Sequence, residues 1–354
     1  MNMLNEGSIM YKNLYVLGDS LSDNGAFVGI IKHLSFAEEV KFDPPAYEGK
    51  SFSDGKVAAE CLSDYLGIEL KPGWKCSMWG RECEQVGNNY AISNASAAQH
   101  DNYISRFFFN KLRLEKQVNA LISHHKDISQ DDLFLIMIGG NDIMAASSQN
   151  SDDAKQTLEH AIDAVYNAIE MLHQNNASNI IIANAPDIGL IPAFNKNKEA
   201  SKFATELTDS FNDQLKNSVR SLQQKYHNLK LKGFELNAEF NNIINQYESE
   251  AKNYTDAATS DFVDKLLSSN SSWYDKGKMV SYIVTSGRLW INPCSEEVRN
   301  EHLFFDYFHP TKRSHEYIGK KLYQMSVESL QSSNYDSEDE GGNDREVTYD
   351  VVNI

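Results

Sequence analysis

The sequence predicts a three-layer α/β/α fold with a central parallel sheet of about five strands, and three observations carry that prediction. Short apolar runs of strand length recur at 13–17, 133–138, 180–183 and 229–234. The second of these is apolar throughout and ends in two glycines, as a central strand covered on both faces does. Between the runs lie long segments whose apolar residues return every three or four positions, the period of an amphipathic helix. Strands that alternate with such helices are joined by crossovers, which give a parallel sheet with helices on both faces.

Residues 13–17 form the first strand, and Asp23-Asn24-Gly25 opens a loop toward an apolar segment at 26–31. Asp43-Pro44-Pro45 excludes helix there. Helical spacing resumes at 56–66 with Val57, Ala58, Cys61, Leu62, Tyr65 and Leu66 on one side, and Gly67 stops it. Residues 71–84 place Trp74 and Trp79 among Gly, Pro and Cys; this surface loop either lines a cleft or tucks its tryptophans into the core. A second strand is expected at 88–92, then helices at 112–122, 157–173 and 203–222. Residues 237–290 are polar with only partial helical spacing, and read as an insertion carrying helices, as a surface excursion before a lid. A helix at 311–330 closes the fold. Residues 332–344 are acidic and nearly free of apolar side chains, so disorder is expected.

The 354 residues carry 33 Lys plus Arg against 50 Asp plus Glu, a formal charge of -17, which repels a nucleic-acid backbone and disfavours anionic membranes. Residues 331–354 hold seven acids and one base, leaving -11 for the remainder, so the body is acidic in its own right. Cys61, Cys76, Cys83 and Cys294 are too scattered for a disulfide framework or a zinc site and read as free thiols; a Cys76–Cys83 loop stays open for an oxidising compartment. Residues 1–11 lack the apolar core of a signal peptide and no run reaches transmembrane length. The expectation is a protein that is cytoplasmic as synthesised, with signal-peptide-independent export left open.

Chemistry concentrates at the end of the first strand. Gly18-Asp19-Ser20-Leu21 presents a hydroxyl at a strand's carboxyl end, where open α/β sheets bind ligands. Taken alone, Ser20 reads more readily as a helix cap. Asp306-Tyr307-Phe308-His309-Pro310 changes that reading. On one helical turn Asp306 and His309 are neighbours, so the carboxylate can hold the ring tautomer while the other nitrogen faces a serine. The rival bases His302 and His315 have cations, Arg299 and Lys312, three residues earlier. Asn141, swung out by Gly139-Gly140, offers an amide to a developing oxyanion, and the Ser20 N–H a second donor. There is no Gly-x-Ser-x-Gly elbow, no phosphate-cradling loop and no His-Glu-x-x-His, so no metal and no cofactor are expected.

These blocks, in this order, resemble the GDSL (SGNH) family of serine esterases and lipases. Weaker matches at Phe52-Ser53-Asp54-Gly55, Gly87-Asn88-Asn89-Tyr90-Ala91 and Ala185-Pro186-Asp187-Ile188-Gly189 extend the resemblance over about residues 11–325. It implies a flavodoxin-like, SGNH-hydrolase-type domain over 1–330, with the insertion at 237–290 and a disordered tail at 331–354. It also implies ester hydrolysis through an acyl-enzyme, with Ser20 as nucleophile, His309 as base and Asp306 as its orienter. A third oxyanion donor is assigned to the backbone N–H of Asn94, although Ser93 and Asn94 stand where the family commonly has paired glycines. Asn accepts left-handed backbone, so the hole is expected to persist with a bulkier wall. Lipid esters, phospholipids included, are the preferred substrate class; short-chain or carbohydrate-acetyl esters and acyl transfer to another alcohol use the same residues. The rival reading is a binding protein whose oxyanion hole Ser93-Asn94 spoils. The expected partner is a small ester or lipid, with at most transient membrane contact and no nucleic acid.

Overall fold

Four parallel strands make the central sheet in the spatial order β1 (Leu14–Gly18), β2 (Leu133–Met137), β3 (Asn179–Ala183) and β4 (Lys230–Phe234). This computed structural model describes residues 11–35, 37–73, 87–99, 112–267 and 273–338. Leu14 lies opposite Leu133, and Leu133 opposite Asn179, so the apolar runs stack in register as a fully buried centre. Residues 88–92 run along the free side of β1. The Val16 N–H donates to Asn88 O at 3.0 Å, Tyr90 N–H to Val16 O at 2.7 Å and Ile92 N–H to Gly18 O at 3.1 Å. The segment fills the fifth position through an isolated bridge at Asn89 without forming a regular strand, and the side-chain amides of Asn88 and Asn89 fasten it by donating to the Leu14 and Ser22 carbonyls. Counting it second in chain order, the sheet reads 2-1-3-4-5, the flavodoxin-like arrangement.

The helices of the three layers are α1 (Ala26–Leu34), α2 (Ala58–Leu66), α3 (Leu114–His124), α4 (Gly140–Ala146), α5 (Ser151–Gln174), α6 (Lys198–Lys225), α7 (Leu236–Ser249) and α8 (Lys312–Glu338); a further helix, Trp273–Ser286, lies in the expected insertion, and the rest are shorter helical turns. One layer packs α3 and α6 against α5, and the other packs α2 and α7 against α8. Local chemistry sets their ends: Asn150 and Asn197 accept the first free N–H groups of α5 and α6, and Gly67 ends α2 in a left-handed turn at φ 68°. Helix α8 continues past the expected end at 330 to Glu338; the remaining tail lies outside the described residues, as do Trp74, Trp79, Cys76, Cys83 and residues 1–10. Cys61 and Cys294 are free thiols. Among the described residues no helix is long and apolar enough to cross a membrane.

Residues 237–290 are more than a surface excursion. The strand Asn253–Ala257 pairs in parallel with His302–Phe304, and Arg288–Leu289 pairs with Lys41–Phe42. Leu303 and Phe304 of the first pairing join the main core, whereas Phe42 and Leu289 of the second close a separate apolar core, in which Phe42, Phe52 and Phe262 meet with ring centroids 4.6 to 6.1 Å apart. That core lies directly under the His309 loop.

Candidate active site

Strand β1 ends at Gly18, where a Cβ would fall 2.2 Å from the Met137 carbonyl oxygen, so only glycine allows this approach of β1 to β2. Buried Gln117 clamps the same residue on both sides: its Oε1 accepts the Gly18 N–H at 2.8 Å and its Nε2 donates to Gly18 O at 2.8 Å. The turn that follows carries Ser20. The helix-capping role that Ser20 offers from sequence is taken by Asp23, whose carboxylate accepts the N–H groups of Gly25, Ala26 and Phe27 at the start of α1. Ser20 is thereby left for other work.

His309 Nε2 stands 2.8 Å from Ser20 Oγ, and His309 Nδ1 stands 2.7 Å from Asp306 Oδ2. The expected helical turn is instead a bent loop. Pro310 disfavours helical backbone at His309, and Asp306 Oδ1 accepts the N–H groups of Phe308 and His309 at 2.8 and 2.7 Å, folding the loop back on its own carboxylate. The Phe305 N–H closes it by donating to His309 O at 2.8 Å. Asp306 is fully buried and His309 is 8% exposed. Burial alone pushes the imidazole pKa down, but the Asp306 charge and hydrogen bond outweigh it and hold the pKa above 6.5. Reciprocally, burial pushes Asp306 up and His309 more than offsets that, leaving it below its ordinary value.

The rival histidines are otherwise engaged. His315 Nδ1 accepts the Ala58 N–H at 3.2 Å, and burial lowers its pKa to about 3, so it stays neutral with that lone pair in use. His302 Nδ1 pairs with Val298 O at 2.7 Å on an exposed surface.

Asn141 stands in the first turn of α4 at the end of β2, lines the cleft and donates one amide N–H to Ala95 O at 2.8 Å, its second having no partner among the described residues. Asn94 sits at φ 65°, the left-handed backbone that asparagine tolerates. The backbone N–H groups of Ser20 and Asn94 have no hydrogen-bond partner among the described residues, and both residues line the cleft. Ser93 turns the other way. It is buried, and its N–H and hydroxyl both donate to Asp23 Oδ2 at 2.8 Å. Asp142 completes the loop by accepting the Ala97 and Ala98 N–H groups at 2.8 and 3.1 Å. Three donors therefore border the space in front of Ser20 Oγ, within a cleft of about 710 Å³ whose walls include Met144, Ile188, Ile191, Phe194 and Phe240.

Residues 14–322 match the GDSL-like lipase/acylhydrolase family model. The chain belongs to that family. Among its relatives, "Lipase 1" of Photorhabdus luminescens is 28% identical over 186 residues, covering 51% of this chain and 23% of the lipase. The phosphatidylcholine-sterol acyltransferase of Aeromonas hydrophila is 25% identical over 213 residues, covering 60% of this chain and 55% of the relative. An Arabidopsis thaliana GDSL esterase/lipase is 21% identical over 352 residues, with 91% and 88% covered.

In this GDSL-family chain the Phe52-Ser53-Asp54-Gly55 block forms a cradle that its sequence did not reveal. Phe52 stacks on the His309 ring with centroids 4.7 Å apart, and Ser53 Oγ donates to Pro310 O at 3.3 Å. Asp54 accepts the Lys312 N–H at 2.8 Å, which caps α8, and Arg299 Nε at 3.1 Å. A Cβ on Gly55 would lie 2.3 Å from Lys312 Cβ. Two further residues were missed but had signals: Asp23 precedes a helix in an Asp-Asn-Gly turn, and Gln117 is a polar side chain on the buried stripe of Leu114, Val118 and Leu121.

Proposed function

We propose that this chain hydrolyses carboxylic esters with Ser20 as nucleophile, His309 as general base and then acid, and Asp306 as the carboxylate that orients the ring. The observation that carries the reading is the unbroken line from Ser20 Oγ through both His309 nitrogens to buried Asp306, with contacts of 2.8 and 2.7 Å. In that line Nε2 takes the Ser20 proton as Oγ attacks the ester carbonyl, and Asp306 stabilises the imidazolium that forms. The Ser20 N–H, the Asn94 N–H and the Asn141 amide receive the oxyanion. The imidazolium returns its proton to the leaving alcohol, and water repeats the sequence on the acyl-enzyme.

The apolar cleft supports esters of lipid-like acyl chains as the substrate class, since acetyl groups alone would leave most of about 710 Å³ unfilled. A second reading, acyl transfer to an alcohol, is favoured by the similarity to the sterol acyltransferase, and it uses the same acyl-enzyme. The Ser93 hydroxyl points into Asp23, away from the donors, which weighs against a spoiled oxyanion hole. A fluorophosphonate probe tests the activated serine: rapid labelling lost in Ser20→Ala is expected. No labelling of the folded protein would sink the proposal. A p-nitrophenyl ester series from acetyl to palmitoyl, run with and without a competing alcohol, then ranks chain length and separates hydrolysis from transfer.

A further inference from the structure

We propose that Asp261 stands in the site as a neutral carboxylic acid that donates its O–H to Asp306, extending the Ser20–His309–Asp306 line by one positioning residue. The proposal rests on the ester-hydrolase reading above.

Backbone pairing delivers Asp261 there. The parallel ladder between Asn253–Ala257 and His302–Phe304 continues as Ala258 N–H to Phe304 O and Thr259 N–H to Phe305 O, both 2.9 Å, so 258–261 travels beside the chain that leads into Asp306. Asp261 is fully buried. Its Oδ1 accepts the N–H groups of Val263 and Asp264 at 2.8 and 3.0 Å, capping the short helix Phe262–Leu267, whereas the buried Oδ2 has no donor among the described residues. One side-chain oxygen or nitrogen from each of Asp261, Asp306 and His309 lies within 4.8 Å of the others.

Two buried carboxylates this close cannot both be ionised unless a cation separates them. Asp306 has the better claim to the charge: two backbone N–H groups and the imidazole serve it, while Asp261 has two amides on a single oxygen. The proton therefore rests on Asp261, and Asp306 Oδ2, which accepts only His309 Nδ1 from the described donors, has a lone pair to receive it. Titration preferences agree in direction. Burial first, then the charges of Asp306 and Asp264, push Asp261 well above the carboxylate range, while Asp306 is held below it. The other ionisable groups facing the cluster are Asp264, raised to about 8 chiefly by burial, Asp19, which faces His309 and is raised to about 7 by burial, and His315, kept neutral chiefly by burial and then by His309. Donation from Asp261 fixes the plane of the Asp306 carboxylate and shares its charge, so the imidazolium is held less tightly than by a bare carboxylate. No proton leaves the pair during turnover.

Asp261→Asn and Asp261→Ser separate this role from capping. Both keep an oxygen that caps Phe262–Leu267, but only Asn keeps an N–H that reaches Asp306. Each variant is compared with the wild type by kcat and KM on a p-nitrophenyl ester from pH 5 to 9, and by NMR titration of the His309 ring, which needs no turnover. Expected results are an Asn variant within about threefold of wild type with an unmoved His309 titration, and a Ser variant losing about tenfold or more in kcat at similar KM, the scale for removing a partner that orients a histidine. The His309 pKa should rise in the Ser variant, because Asp306 no longer shares its charge. A His309 pKa that falls in Asp261→Asn would show Asp261 to be ionised and overturn the proposal. Wild-type behaviour of Asp261→Ser would also overturn it, as would activity lost to a chelator and restored by a divalent cation, since a cation and not a proton would then bridge the pair. Absent turnover in the wild type defeats the ester-hydrolase reading separately, and the NMR titration still judges Asp261.

Discussion

The two asparagines at the cleft should respond unequally to truncation. Asn141 contributes a side chain, and its amide nitrogen already holds Ala95 O at 2.8 Å while its second N–H is free for the oxyanion. Asn141→Ala removes both. Losing one side-chain oxyanion donor costs about 10²–10³ in kcat, or roughly 2.7–4 kcal/mol of transition-state stabilisation. Loss of the Ala95 contact adds about 0.5–1.5 kcal/mol of instability, a separate effect that appears in thermal melting. Asn94 should contribute only its backbone N–H. Its side chain has no hydrogen-bond partner among the described residues, and its φ of 65° is one that glycine adopts without strain. Asn94→Gly should therefore keep kcat within about threefold, a change under 1 kcal/mol, and keep the melting temperature nearly unchanged. The assay is kcat on butyryl and palmitoyl p-nitrophenyl esters for both variants, with circular-dichroism melts as folding controls. If Asn94→Gly proves as damaging as Asn141→Ala in a folded protein, the Asn94 side chain must touch substrate or brace the loop, and the backbone-donor assignment fails.

Ser20→Ala and His309→Ala should each lower ester turnover by about 10³ or more, with the double variant no slower than either alone, because members of a triad act as a unit; steady-state rates of the three proteins check this. The acidic limb of kcat/KM should lie above pH 6.5, since the base must be neutral and Asp306 holds the His309 pKa above that value. Activity is then lost as pH falls through the raised pKa, and ionisation of Asp19 near pH 7 should broaden the limb by adding charge beside the ring. A limb centred well below 6.5 under chemistry-limited conditions would remove His309 from the role. Gln117→Leu keeps the volume but strips the Gly18 N–H of its acceptor, which should cost about 1–3 kcal/mol of stability; a urea midpoint equal to wild type would show that the clamp is idle.

Periodic features were legible in the sequence and cross-chain fasteners were not. The apolar runs that became β1 to β4 and the helical stripes of α5 and α6 follow from side-chain period, which a linear sequence displays directly. Short blocks at strand ends pointed to Ser20, Asn141 and the Asp306–His309 pair for the same reason, each carrying its side chains within a few residues, and the fold brings these side chains to one cleft. The Asp306 to His309 turn was misread as helical because the three-residue spacing fits a helix, while the competing pull of Pro310 and of two backbone N–H groups on Asp306 appears only in three dimensions. Residues 237–290 do carry the expected helices, but these are broken up by Asn253–Ala257 and Arg288–Leu289, short strands whose partners lie elsewhere in the chain and which no local period announces. Asp261 belongs to the same class, since nothing near it in sequence announces Asp306.

The two halves of the Ser20–His309 line rest on different supports, and this explains why so much chain outside the sheet converges on one loop. Ser20 is fixed by the sheet itself, through the close approach of Gly18 to Met137 and the Gln117 clamp. His309 lies outside the central sheet, in the loop that follows the short strand His302–Phe304. Its position comes from Phe52 stacked on the ring, Ser53 on Pro310, Asp54 on the first turn of α8, and the aromatic core that 237–290 closes around Phe42 and Phe262. A base must sit within about half an ångström of its productive place to act on a hydroxyl, so a loop-borne histidine needs several independent contacts where a strand-end serine needs few. Acidic Asp54 is the economical member of that set: one buried carboxylate caps the helix that follows His309 and also ties down Arg299 beside it. The cradle and the insertion core are therefore parts of the site as much as Ser20 is, although neither supplies an atom that reacts.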